Sequence, residues 1–124
     1  MSLEWLQTDL TTWRPSAQYD LVTSAFMHSP VDFPREAILR RAVSAVAPGG
    51  RLLVVGHGGF PPMSEHVHDT EIPPFPTPDE VLASLDLPTG WIVEANALIE
   101  RTVKWRDEKD VVLVDTVLRV RRVD

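Results

Sequence analysis

Four histidines, His28, His57, His66 and His68, are the side chains best suited to moving a proton or holding a metal near neutral pH. His28 follows a short apolar segment, where a neutral imidazole can take a proton from an attacking oxygen, nitrogen or sulfur. The alternative at that position is a solvated loop histidine. His57, His66 and His68, with Glu65 and Asp69 between and beside them, include a His-x-His pair of the kind that binds zinc or nickel when a third ligand converges. The spacing from His57 is loose, and Pro61, Pro62, Pro73, Pro74 and Pro76 do not preorganise such a site. The reading adopted is therefore a lid without a metal. His57, Phe60, His66 and His68 would face a ligand, with Met63, Ile72 and Phe75 as apolar wall.

The elements that must hold these residues alternate between strand and helix. Leu3 to Thr8 reads as a short strand ending at Asp9-Leu10, broken by Trp13 to Ser16. Tyr19 to Phe26 is an apolar-centred strand, the pattern of a segment covered on both sides of a parallel sheet. Asp32 or Phe33 is expected to cap a helix with Pro34 in its first turn. Ile38, Leu39, Ala42, Val43 and Val46 recur on one side of it, and Pro48-Gly49-Gly50 is expected to end it. Arg51 to Gly56 then forms a buried strand. Strand, helix, strand in this order is the crossover unit of a parallel sheet.

The stretch 57–76 reads as a long loop, of the length that serves as a lid or binding loop. Thr77-Pro78-Asp79-Glu80 spells a capping box and opens a helix that carries Val81, Leu82 and Leu85 and ends before Pro88. Trp91 to Glu100 and Val111 to Val120 are two longer strands joined by a polar link, hence an antiparallel hairpin. Thr116, Leu118 and Val120 share one face of the last strand, and Asp115, Val117 and Arg119 the other.

Bulk properties narrow the classes. The chain has 124 residues, 44% hydrophobic and 24% charged, with a formal charge of −6 and no cysteine. That size fits one domain, 1–124. Disulfides, zinc–thiolate sites and cysteine nucleophiles are excluded. Arg119, Arg121 and Arg122 are the densest basic group, too sparse for phosphate recognition, so no nucleic-acid partner is expected. No apolar run is long enough to span a bilayer, and no secretory leader is read, which leaves the cytoplasm as the expected compartment.

Several phrases together resemble one family. These are Gln7-Thr8-Asp9-Leu10, Tyr19-Asp20-Leu21-Val22, Phe26-Met27-His28, and Ala47-Pro48-Gly49-Gly50-Arg51-Leu52-Leu53-Val54 behind its helix. In this order they resemble the C-terminal part of class I S-adenosylmethionine-dependent methyltransferases. The tail Asp115 to Arg122 is similar to the last strand of small bacterial members of the tellurite-resistance type. The resemblance implies an α/β fold: a partial Rossmann-like sheet of parallel strands closed by an antiparallel hairpin.

It also implies a function, methyl transfer from S-adenosylmethionine to a small-molecule acceptor. By resemblance, Asp9 and Leu10 would meet the adenine, while Ser24, Ala25 and Phe26 would line the cofactor at the carboxyl edge where open α/β sheets bind ligands. His28 would be the catalytic residue. Family members begin with a glycine-rich strand–turn and an acidic residue for the ribose, and neither stands in this sequence. The expectation is a truncated fold, impaired in cofactor binding. Each lost hydrogen bond is worth about 0.5–1.5 kcal/mol, and together they take micromolar affinity to roughly millimolar. The alternative is a non-catalytic oligomerising module derived from a methyltransferase half. In either case the absent neighbour of the Tyr19 strand leaves an edge that favours a homo-oligomer.

Overall fold

In the computed structural model, the described residues are 2–28, 33–59, 75–104 and 106–124. Their elements are β1 (Tyr19–Ala25), α1 (Arg35–Ser44), β2 (Val46–Gly59), α2 (Pro78–Leu85), β3 (Trp91–Lys104) and β4 (Asp110–Arg122). The strands form one sheet in the order β1-β2-β4-β3. β1 and β2 are parallel neighbours, linked through α1, and β4 inserts antiparallel between β2 and β3. The expected mixed sheet, with a parallel pair and a terminal hairpin, is the one observed.

Both helices lie on one face. Leu39 and Ala42 of α1 and Val81 and Leu85 of α2 bury against Leu52 of β2 and Leu118 and Val120 of β4. Leu39, Leu52, Leu85 and Leu118 are the largest fully buried side chains. Each is worth about 1.5–3 kcal/mol in burial. α2 starts as its sequence dictates: Glu80 N–H donates to Thr77 Oγ1 at 3.1 Å, and Thr77 N–H donates to Glu80 Oε1 at 3.1 Å.

The ends of the other elements differ from expectation. Leu3 to Thr8 is not a strand. No neighbouring strand pairs its backbone among the described residues, and Leu3 and Trp5 are 77% and 87% exposed. α1 has Pro34 at its N-cap with no side-chain cap; Phe33 contributes only its carbonyl, which accepts from Arg35 N–H at 2.7 Å, and Asp32 lies outside the described residues. Pro48-Gly49-Gly50 does not end α1. The helix stops at Ser44, where Ala45 N–H turns back to Ala42 O, and the chain is already β2 at Val46.

The glycines serve the sheet instead. Tyr19 faces Val46 and Leu21 faces Arg51, so β2 carries three more residues than β1 across this step. Gly49, at φ 81°, sits in the conformation open to glycine. A Cβ on Gly50 would stand 2.9 Å from Ala47 O and 3.0 Å from Asp20 O and Tyr19 O. β2 also runs on to Gly59, so His57 belongs to a strand and not to the loop assigned from the sequence. It pairs there with Asp115. The hairpin strands outrun their expected ends, closing on a Lys104–Asp110 ion pair at 3.1 Å.

Candidate functional site

The carboxyl ends of β1 and β2 lie side by side and carry an aromatic cluster. β1 ends at Ala25, and Phe26 N–H donates to Val55 O at 2.8 Å. Phe26 then turns the chain with φ 56°, the left-handed region that an aromatic residue occupies only at a cost of about 1–2 kcal/mol. The turn brings His28 back over β2. Its Nε2 accepts the His57 backbone N–H at 3.0 Å. Gly56 makes room for the ring, since a Cβ there would lie 3.0 Å from His28 Nε2 and 3.1 Å from Thr116 Oγ1.

Four rings meet at this rim. His28 stacks on His57 with centroids 5.1 Å apart, and Phe26 lies 4.8 Å from His57. Phe75 approaches His28 at 5.0 Å and His57 at 5.3 Å. The rings touch one another, so they form a wall and not a cage with space for a cation between its faces. Phe26 remains 40% exposed and offers its free surface outward.

Two charged groups flank the rings. Arg35, the first residue of α1, is half-buried and sets Nη1 3.3 Å from His28 Nδ1. A backbone amide can only donate, so His28 Nε2 is the acceptor and the neutral ring carries its proton on Nδ1. Arg35 therefore meets a donor with a donor, and the contact is no hydrogen bond. Burial, then the neighbouring His57 and Arg35, hold the His28 pKa below the usual imidazole value. On the other side, buried Asp115 uses Oδ2 to accept from Arg101 Nε at 2.7 Å, while its Oδ1 has no partner among the described residues.

The structure thus brings Ser24, Ala25, Phe26, His28 and His57 to one rim. A small cavity of about 20 Å³ beneath it is bordered by Ser24, His28, Arg35, Gly56 and Thr116. It does not bring Asp9 and Leu10 there. Asp9 Oδ1 accepts from Thr11 N–H at 2.9 Å and Thr11 Oγ1 at 2.7 Å, which closes a turn and lowers its pKa. Arg41, late in α1, holds that turn by donating to Leu10 O at 3.0 Å and Thr11 O at 2.8 Å. Arg41 stands six residues beyond Arg35, about 9 Å down the helix from the rim.

Phe60, His66 and His68 lie outside the described residues. Among the described residues no three acidic or histidine groups converge to hold a metal, and no helix is long and apolar enough to cross a membrane. Arg35, Gly56 and Thr116 escaped the sequence reading. Gly56 alone carried a signal, a glycine ending a strand where another group comes close.

A larger cleft of about 610 Å³ opens at the opposite end of the sheet, between Arg40, Asp86, Trp91 and Arg122. Its cations are already engaged with backbone carbonyls, Arg40 with Ser84 O and Arg122 with Val46 O. The rim is favoured over this cleft on chemistry, because it gathers the imidazoles, the aromatic faces and a guanidinium at the carboxyl edge where α/β sheets bind ligands.

Solved structures share this architecture. The N-methyltransferase NodS from Bradyrhizobium japonicum WM9 superposes with a TM-score of 0.55 at 18% identity, covering 97% of this chain and 60% of that one. The sheet and its two helices form a partial methyltransferase fold. A protein studied for the conversion of a disulfide bond into a thioacetal group during echinomycin biosynthesis matches with a TM-score of 0.54, also at 18% identity, over 92% of this chain and 52% of that one. The chain therefore spans little more than half the length of either protein. No protein-family model matches the sequence, and no curated protein matches it.

Proposed function

We propose that this chain supplies the acceptor-side rim of an S-adenosylmethionine-dependent methyltransferase that acts on a small molecule. The observation that carries this is the parallel β1–α1–β2 unit with its aromatic rim, set in a methyltransferase fold. The donor would supply an activated methyl on a sulfonium. That group would offer its methyl carbon to the acceptor's lone pair, with the sulfur leaving as a neutral thioether and the acceptor's proton released to water.

The rim fits the sulfonium end of such a donor in one respect. Phe26 presents an aromatic face outward, and aromatic faces attract a sulfonium as they do other cations. Ser24 and Ala25 would border it. Asp9 and Leu10 would meet the adenine only if the turn that Arg41 holds were to move. Methyl transfer needs chiefly alignment. His28, whose lone pair is held by the His57 amide, acts in this reading as a positioning residue for the rim and not as the base. His57 and Phe75 extend the wall against the acceptor.

Isothermal titration with S-adenosylhomocysteine tests the proposal. A dissociation constant of roughly millimolar order is expected, since the glycine-rich loop is not in the sequence. No heat at ten times that concentration would contradict it.

A second reading, the oligomerising module, rests on a different observation. β1 is an edge strand, and its Leu21 is 58% exposed on the sheet face opposite the helices. A second copy of the chain is the partner this edge would take, through backbone pairing.

A further inference from the structure

Arg35, at the start of α1, is a half-buried guanidinium with no acidic partner among the described residues. Six other guanidiniums have evident partners: Arg51 and Arg119 share Glu94, Arg101 holds Asp115, and Arg40, Arg41 and Arg122 donate to backbone carbonyls. Arg121 has a buried Nε without a hydrogen-bond partner among the described residues, but it acts on the carboxylate of Glu94. Arg35 has no carboxylate within ion-pair distance among the described residues, and Glu36, its chain neighbour, points about 100° away around the helix. Its one close polar neighbour is the protonated Nδ1 of a neutral imidazole, donor against donor. Met27, Leu39, Val54 and Val81 also line the small cavity beside it, and the other polar side chains there, Ser24 and Thr116, are uncharged. A guanidinium half-withdrawn from water and lacking an anion is costly to hold. That cost is offset when a carboxylate completes the pair, as arginine geometry favours.

We propose that Arg35 receives a carboxylate of the ligand bound at the rim, and that the ligand carries an aromatic or other planar apolar body beside that carboxylate. The body lies on the ring wall of Phe26, His57 and Phe75, and the carboxylate reaches the free edge of the guanidinium. The 20 Å³ cavity holds about one water and no carboxylate, so the anion sits at its mouth. The inference deepens the methyltransferase reading by naming the acceptor's chemistry, an aromatic carboxylate. The same carboxylate chemistry also stands in the amino-acid end of the methyl donor, and the experiment separates the two sources.

The test is residue-resolved NMR of the full chain titrated with benzoate, benzyl alcohol, S-adenosylhomocysteine and 5′-methylthioadenosine. Benzoate is expected to shift the amides of Phe26, Gly56 and His57, and benzyl alcohol to do so at least about tenfold more weakly. Arg35→Gln should lose benzoate by about tenfold or more while Arg35→Lys keeps part of it. Equal binding of benzoate and benzyl alcohol, or undiminished benzoate binding by Arg35→Gln, overturns the proposal.

If Arg35→Gln does not fold, the wild-type comparison decides alone, together with the melting temperature. Benzoate should raise that temperature more than benzyl alcohol, and equal shifts overturn the proposal. S-adenosylhomocysteine binding that falls to the level of methylthioadenosine in Arg35→Gln, with benzoate indifferent, assigns the carboxylate to the donor and overturns the acceptor assignment. Benzoate binding at the rim with no response to S-adenosylhomocysteine would sustain the Arg35 site and remove the methyltransferase reading instead.

Discussion

At the residue scale, the arrangement turns on one imidazole kept neutral. His28 can protonate only by giving up the His57 amide and by facing Arg35 with a full positive charge. Its pKa is therefore lower in the folded chain than in the unfolded one. Above about pH 6.5 the ring is neutral in both states and its contribution to stability is fully present. As the pH falls below about 6.5, the unfolded chain takes up the proton first, and that contribution is lost until the lower folded-state value is passed. His28→Gln keeps an acceptor for the amide and cannot titrate. Urea unfolding midpoints at pH 7.5 and 5.0 should differ more for the wild type than for His28→Gln. Equal differences would show that His28 is not held as described. Gly56→Ala addresses the same contact from beneath: its methyl must displace His28 or Thr116, at about 1–3 kcal/mol. Hydrogen exchange at the His57 amide should then quicken.

At the scale of elements, local signals carried furthest. Thr77-Pro78-Asp79-Glu80 names its own helix start, because the whole capping box lies within four residues. Thr77→Ala should cost about 1 kcal/mol, measured as a lowered urea midpoint with an unchanged slope. Pairing among distant segments was not legible in the same way. Leu3 to Thr8 has the composition of a strand but no partner in the sheet. Pro48-Gly49-Gly50 has the composition of a helix stop, yet its glycines let β2 pass close to Tyr19 and Asp20. Gly50→Ala is thus a test of sheet packing and not of helix capping, with an expected loss of about 1–3 kcal/mol. His57 reads as a loop residue because nothing beside it in sequence reveals that β4 extends far enough to pair with it. Nothing around Arg35 in the sequence points to a partner, and only the return of the chain at Phe26 brings His28 against it.

At the scale of the molecule, the sheet has two unlike faces. One is covered by α1 and α2. Among the described residues no helix covers the other, where Leu21 and Ile99 are 58% and 49% exposed. Arg51 and Arg119 converge there on Glu94 at 2.7 and 3.2 Å, and those contacts hold its carboxyl below the usual range. Exposed apolar side chains on this face and a β1 edge that no strand pairs among the described residues together favour association. Light scattering at micromolar concentration should show a dimer or larger species, and Leu21→Lys should shift it toward monomer. A wild-type monomer across that range would remove the module reading and leave the rim untouched.

Under the proposed function, a methyl-donor ligand binds at the rim formed by the carboxyl ends of β1 and β2. Amide shift mapping with S-adenosylhomocysteine at roughly millimolar concentration locates it. Perturbations are expected to gather at Ser24, Ala25, Phe26, Gly56 and His57, with Trp91 and Thr89 silent. Perturbations centred on Thr89, Trp91 and Arg122 at the opposite end of the sheet, or none at all, would contradict this placement.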